Sequence, residues 1–495
     1  MNKAAGRGDD TDRLGEMSAQ RGPEPDAHGE TDAPIVIVGT GPAGVRAAQT
    51  LVEAGYRPIV IDEQARAGGQ IYRRQPVGFV RDARTLYGFE ARRAQSIHAT
   101  FDALLPHIDY RPQTLVWHAS AGTLSLFETG ETPRFSQIDY RRLLLCTGAV
   151  DRVMPFAGWT LPGVYTLGAA QVALKSQGCS VGQRVVLAGS GPLLYLLAYQ
   201  YVKAGAHVLA VLDSSTFGAR LRALPRLRVL PAVLAKGLYY IAWLRLRGVP
   251  MHDGVTGWDA LSEDGNRIEG IRWHDRAGRT RQIDCDALAT GFGLRSETQL
   301  ADLLGCAFDF DTVNEQWLPR RDADGRSSVP QIYLAGDGSG IAGADAAEAA
   351  GRRAALAVLS DLGATIDPAH KREWARDGRL AARIGAFREG IEAAFAAPSA
   401  WLARADDALI VCRCEEVRAG DIRRSVADGA IEMNRVKALC RAGMGRCQGR
   451  ICAAATARIV ADARHCTIAE VGRWRAQPPL KPIPFGVVAT EEPEQ

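Results

Sequence analysis

Two sets of residues in this sequence have the types and spacing to do chemistry. Gly39, Gly41 and Gly44 form a G-x-G-x-x-G turn, with Asp62 and Glu63 following it. Cys412 and Cys414, then Cys447 and Cys452, form two close thiol pairs with residues 415–446 between them. In the first set, Gly39 permits a tight bend, Gly41 lets the backbone approach a pyrophosphate, and Gly44 lets a helix pack closely on a strand. Pro42 and Ala43 open that helix, whose free N–H groups and roughly half a positive charge favour phosphate. Asp62 or Glu63 can take ribose hydroxyls. The turn alone suits FAD and NAD equally. In the second set, four thiolates in two pairs suit an iron–sulfur cluster or a structural zinc; an empty module is the third reading. The glycines around Met444 can turn backbone N–H groups towards sulfur.

The surrounding pattern supplies the elements that would hold these groups. Ile35–Val38 is a β-branched strand, a helix is expected over 45–54, and Pro58–Ile61 leads to the acids. Gly68-Gly69-Gln70 follows, a turn whose backbone can run against a flat cofactor. Leu143–Cys146 is an apolar strand ending in Thr147-Gly148, with Cys146 expected as a small buried residue. A second unit of the same kind runs through Arg184–Ala188, Gly189-x-Gly191, a helix over 194–203 and the strand 208–212. There Leu194 replaces the third glycine and is expected to crowd helix against strand or ligand, and Asp213 comes one place late. Thr290-Gly291 repeats the Thr-Gly exit. Ile332–Ala335 runs into Gly336-Asp337 and a small-residue helix over 343–359.

This order predicts an α/β protein with two dinucleotide-binding, Rossmann-like domains and a small helical C-terminal module. The expected boundaries are a disordered tail at 1–32, a first nucleotide domain at 33–154 and 285–363, and a second at 155–284. A helical linker at 364–410, the cysteine module at 411–470 and a Pro-rich strap at 471–495 follow. Residues 217–249 mix arginines with Leu, Tyr and Trp; the simple reading is a helical excursion broken by Pro225 and Pro231, with peripheral membrane or partner contact as the other.

Composition sets limits. Of 495 residues, 46% are hydrophobic and 23% charged, ordinary values for a globular chain, and the net charge of +4 does not suggest nucleic acid. No transmembrane run or signal-like segment is evident, so a cytoplasmic location is expected, with the ten cysteines as free thiols or ligands.

The Gly68-Gly69 turn, the Thr147-Gly148 exit and the Gly336-Asp337 segment resemble those of FAD-dependent pyridine-nucleotide-type reductases. There the Asp holds a ribityl hydroxyl and the helix after it faces the flavin pyrimidine. That resemblance selects FAD for the first unit. No cysteine lies between Gly68 and Tyr140, and the second domain has no C-x-x-C, so the reactive dithiols of disulfide reductases are absent. The cysteine module resembles the bacterioferritin-associated-ferredoxin-like [2Fe-2S] domain, in the C-x4-C version fused to amine-oxidising flavoproteins.

Over residues 33–490 the motif order resembles the FAD-binding α (A) subunit of opine oxidases, with relatives in hydrogen cyanide synthase and amino-acid dehydrogenase complexes. The resemblance implies a flavoprotein β subunit that oxidises a substrate C–N bond, with room for a small ferredoxin-like γ subunit. It also implies an electron acceptor other than NAD, room for FMN at a subunit interface, and an adenine nucleotide held structurally in the second domain. A self-contained NAD(P)H-dependent flavin reductase and a redox-silent scaffold are the competing readings. No side chain resembles a substrate base, so no catalytic residue is named.

Overall fold

The computed structural model describes residues 33–79, 81–398 and 400–484. The tail expected over 1–32 and the end of the strap beyond 484 lie outside the described residues. The first sheet has five parallel strands, in the order Ile332–Leu334, Arg142–Leu145, Ile35–Val38, Ile59–Ile61 and Asp109–Arg111. Its strands are short apolar runs because helices cover one face and a three-stranded antiparallel layer, residues 114–139, covers the other. The helix Pro42–Glu53 starts earlier than expected, since Pro42 at its first position needs no N–H partner.

That helix crosses Ala344–Asp361 at a glycine that the sequence did not single out. A Cβ on Gly351 would stand 2.0 Å from the Ala43 carbonyl oxygen. The contact brings the strand-to-helix turns at residues 39–44 and 336–343 to one end of the sheet.

The second sheet is also five-stranded and parallel, in the order Met251–Asp253, His207–Asp213, Arg184–Gly189, Ala287–Gly291 and Val164–Thr166. Ala287–Gly291 therefore belongs to this sheet, and not to the first domain as the expected boundary after residue 284 implied. Its residues are buried throughout, as a central parallel strand requires. The return to the first domain runs through the ribbon Ala149–Asp151 with Leu294–Ser296.

Two helices, Phe217–Leu227 and Pro231–Leu246, form the excursion. Pro225 sits inside the first and does not break it. Leu221, whose carbonyl residue 225 would have bonded, is exposed, so water can serve it. The linker is dominated by Pro368–Ala394, with Pro368 as its first residue and Asp367 capping Ala369 and His370. The cysteine module shares one apolar core with the second domain, and the end of the linker seals it: the Trp258 and Trp401 rings meet at 4.7 Å, and Trp159 Nε1 donates to Ile410 O at 2.7 Å. Among the described residues no helix is long and apolar enough to cross a membrane.

Candidate functional site

A cavity of about 1400 Å3 opens at the carboxyl end of the first sheet. Gly39, Gly41, Pro42, Ala43, Asp62, Glu63, Gly69, Gln70, Thr147, Gly148, Gly336 and Asp337 all line it. Gly44 lies behind the wall, where a Cβ would stand 1.8 Å from the Gly39 carbonyl oxygen. The turn is held from the other side too, since a Cβ on Gly39 would stand 2.3 Å from Cys146 O. Gly69 approaches equally closely: its Cβ would lie 2.7 Å from Gly41 Cα, so two backbone segments form a slot without side chains. No side chain caps the helix at Gly41 and no acid sits in its first turn, leaving its N–H groups to a ligand.

The two acids divide their work. Asp62 is 9% exposed, and its carboxylate accepts from Thr40 N at 2.6 Å, Thr40 Oγ1 at 2.5 Å and Gln64 N at 2.7 Å. It ties the glycine turn to the second strand, and burial pushes its pKa up. Glu63 stands more open in the cavity wall. Burial opposes its charge, but Lys481 pairs with it and holds its pKa below the ordinary value. Arg73 clamps the same rim, donating to Gln64 Oε1 at 2.9 Å and to Gln70 Oε1 at 2.8 Å. At the other end, Asp337 Oδ1 accepts from Ala342 N at 2.9 Å and Gly343 N at 3.0 Å. The helix Ala344–Asp361 thus begins at the cavity with no side-chain cap of its own. Cys146 is buried, which pushes its thiol up to about 12 and makes it inert.

The cysteine module closes the cavity. Arg413 lies between Cys412 and Cys414, and Arg450 and Ile451 lie between Cys447 and Cys452; all three line the same cavity. Arg450 Nε donates to Glu297 Oε2 at 2.5 Å and Nη1 to Leu480 O at 2.7 Å. Glu297 O accepts from Thr147 Oγ1 at 2.7 Å. The strap crosses here, with Leu480 N donating to Trp117 O at 2.9 Å. These joins involve residues far apart in sequence, and no local pattern signals them.

The four thiols come together as pairs. The Cys412 thiol hydrogen-bonds with Cys452; that bond, and the N–H groups of Gly443, Glu415 and Cys414, hold its pKa down to about 5. Cys414 faces Cys447 and is raised, chiefly by burial. Gly445 fits only because it lacks a side chain: its Cβ would lie 2.3 Å from Cys414 Cβ. Trp474 covers Gly443 and Gly449, at 2.7 Å and 2.6 Å from where their Cβ atoms would be. Among the described residues no three or more His, Cys, Asp or Glu side chains converge as a ready metal-ion site. Cys440 bonds back to Val436 O at 3.2 Å within its own helix.

The second nucleotide turn is built differently. Gly191 caps its helix at φ 113°, where Gly41 caps the first at φ −71°. Leu194 does not crowd a ligand: it is fully buried in the core between helix and sheet. Asp213, 1% exposed, accepts from the Tyr195 hydroxyl and from Ser215 N at 2.7 Å. Arg220 Nη1 donates to Tyr195 Oη at 2.8 Å. A register shift between Val185 and Val186 absorbs the extra residue, so Asp213 pairs with Gly189 at the usual ribose position and is not one place late; there it is enclosed by protein partners.

Comparison with known proteins gives this geometry a family. Residues 33–351 match the pyridine nucleotide-disulphide oxidoreductase model, and residues 409–492 match the sarcosine oxidase A3 domain. The A subunit of opine oxidase from Rhizobium meliloti is 37% identical, over 92% of this chain and 87% of its own length. The chain belongs to the opine oxidase A-subunit family. Another relative is hydrogen cyanide synthase subunit HcnB of Pseudomonas aeruginosa, 36% identical over 91% of this chain and 97% of that one. Members of the opine oxidase A-subunit family are thus flavin-dependent oxidoreductases of the pyridine nucleotide-disulphide type, and FAD is the cofactor which that membership supports. L-proline dehydrogenase from P. horikoshii shares the fold, with a TM-score of 0.67 and 18% identity, over 92% of this chain and 79% of that one.

Proposed function

We propose that this chain is the FAD- and [2Fe-2S]-containing electron-transfer subunit of a heteromeric, cytoplasmic amine, opine or amino-acid dehydrogenase. It receives electrons from a flavoprotein partner that oxidises the substrate, and passes them to an acceptor other than NAD. One observation carries the reading: Arg413, Arg450 and Ile451, each set between paired cysteines, form part of the wall of the flavin cavity. A cluster held by Cys412, Cys414, Cys447 and Cys452 would then sit in loops that form part of the wall of the cavity that holds a flavin.

The residues present fit both groups. The side-chain-free slot between Gly41 and Gly69 admits a pyrophosphate, and the open N-terminus of the helix at Pro42 favours its charge. Glu63 and Gln64 take the adenosine ribose, and the Asp337 oxygen left free by Ala342 and Gly343 takes a ribityl hydroxyl. The start of Ala344–Asp361 favours negative charge on the flavin ring. Bound FAD supplies two-electron acceptance and one-electron release. Paired thiols with N–H groups aimed at sulfur fit an iron–sulfur cluster.

The named relatives are subunits of opine oxidase and hydrogen cyanide synthase, which supports a substrate-oxidising β partner and leaves room for interfacial FMN and a γ subunit. Asp213 is enclosed by Tyr195 and Ser215 and is followed by Ser214, where the open acid Glu63 follows Asp62; this argues against productive NAD(P)H binding in the second domain, although an adenine nucleotide held structurally remains compatible with it. Anaerobic purification from native cells tests the reading. The expected preparation contains FAD, about two irons and two sulfides per chain, and a companion flavoprotein. Stoichiometric zinc with no iron, or a lone chain that oxidises NADH, contradicts it.

A further inference from the structure

Behind the ribbon of Ala149–Asp151 and Leu294–Ser296 lies a second cavity, of about 140 Å3. Strand alternation divides the ribbon between the two cavities: Asp151 and Leu294 face the flavin cavity, while Arg152 and Arg295 face the smaller one. The opposite wall is the cysteine module, through Gln448, Gly449 and Trp474. The smaller cavity therefore lies between the ribbon and the cysteine module.

Its lining holds an excess of cations and is under-satisfied: Glu297, Glu315 and Asp302 are paired with Arg450, Arg458 and Arg473, which leaves Arg152 and Arg295. Arg152 is 9% exposed, and its hydrogen bond goes to a backbone carbonyl, Asn314 O, at 2.8 Å. Among the described residues Arg295 has no ion pair; its charged neighbour is Arg152, and burial together with that neighbour pushes it down to about 10. Both guanidinia stay protonated at neutral pH. The carboxylates near Arg152 make no ion pair with it: Glu315 is paired with Arg458 at 2.6 Å and Glu392 with Arg388 at 2.5 Å, while Asp311 accepts from Asn314 Nδ2 at 2.5 Å. Gln316, 2% exposed, has an Nε2 with no partner, and Ser296 Oγ, Asn314 Oδ1 and Gln299 Oε1 are also buried without one. A buried cation beside a half-buried one, with a ring of orphaned polar atoms, is costly unless something neutralises and bonds them.

We propose that this cavity binds a small oxyanion, a single phosphate or carboxylate group, held by Arg152 and Arg295 with Gln316 Nε2 and Ser296 Oγ as neutral donors. Guanidinium forks match both oxyanions geometrically. The volume is well below the roughly 300 Å3 at which drug-sized ligand sites begin, which excludes a nucleotide. The asymmetric lining suits phosphate, because Asn314 Oδ1 and Gln299 Oε1 can accept from a protonated oxygen that a carboxylate lacks. This inference does not depend on the electron-transfer reading.

Isothermal titration of the full-length, FAD-loaded protein with inorganic phosphate, and separately with malonate, tests it and separates phosphoryl from carboxylate sources. Wild type is expected to bind at least one probe saturably, at one site per chain. Arg295→Gln is expected to weaken that binding by about tenfold or more, with Arg295→Lys recovering part of it. Gln316→Glu, which places a carboxylate in the cavity, is expected to abolish it. Retained flavin absorbance in the variants shows that their fold is intact. No saturable heat from either probe with wild type, or unchanged affinity in both Arg295→Gln and Gln316→Glu, overturns the proposal.

Discussion

Arg450 and Glu297, both 13% exposed at the side chain, form an ion pair at 2.5 Å across the junction of the cysteine module and the flavin domain. Glu297 is also joined to Thr147 through its carbonyl, so the pair ties the cysteine loop to the cavity floor. Removing one partner strands a largely buried charge. Arg450→Ala is expected to lower stability by about 2 kcal/mol and to slow electron transfer from flavin to cluster, with FAD and iron content unchanged. Chemical denaturation and rapid-mixing spectroscopy measure the two effects; an unchanged transfer rate counts against the junction as the electron path.

Gly69→Ala is expected to strip the flavin while leaving the chain folded. The added methyl would lie 2.7 Å from Gly41 Cα, in backbone at φ 61° that disfavours side chains, and would fill the slot where a pyrophosphate enters. Gly44→Ala acts differently, because its methyl would lie 1.8 Å from Gly39 O inside the helix–strand contact. It is expected to lower the melting temperature as well as flavin content. Flavin absorbance beside circular dichroism distinguishes the two variants.

Cys447→Ser is expected to abolish the cluster and its visible absorption, whereas Cys440→Ser leaves iron content unchanged. Cys440 is committed to Val436 O in its own helix, while Cys447 faces Cys414. Iron and sulfide assays decide; loss of iron in Cys440→Ser redraws the ligand set.

The local parts of the site were legible in the sequence, because each is a continuous strand–turn–helix pattern with its own period. The parts that cross between segments were not. Asp62 and Glu63 look interchangeable in sequence, and only the position of Thr40 turns Asp62 inward and leaves Glu63 open. Leu194 reads as an obstruction until its burial in the core is seen. Asp213 reads as a misplaced ribose acid until the register shift between Val185 and Val186 is seen, with Tyr195 enclosing it. The boundary after residue 284 fell short because Thr290-Gly291 marks the end of a strand in the second sheet, and the chain returns only after it. Arg450 and Glu297, or Arg152 and Arg295, carry no periodic signal at all.

Lys175 gives a pH prediction. It is fully enclosed between the domains, donates to Ile71 O at 2.8 Å, and burial, with Arg73 nearby, pushes it down to about 7. The folded state therefore favours the neutral amine, and the unfolded chain keeps the ordinary lysine value. The penalty is full below about pH 7 and shrinks as pH rises towards 10.5. Relative to Lys175→Met, wild type is expected to gain stability on the order of 1 kcal/mol per pH unit across that window. Denaturant melts at several pH values test this; a pH-independent difference shows that the ammonium is already paired.

The central claim is that this chain relays electrons from a partner and does not oxidise NAD(P)H itself. Anaerobic stopped-flow mixing of the FAD-loaded protein with NADH and with NADPH tests it most directly, followed by mixing with the substrate-oxidising partner and its amine substrate. Enclosure of Asp213 by Tyr195 and Ser215 predicts no flavin bleaching with either nucleotide, and bleaching with reduction of the cluster only when the partner and its substrate are present. Flavin bleaching within seconds by NADH or NADPH alone contradicts the relay and makes the protein a self-contained reductase.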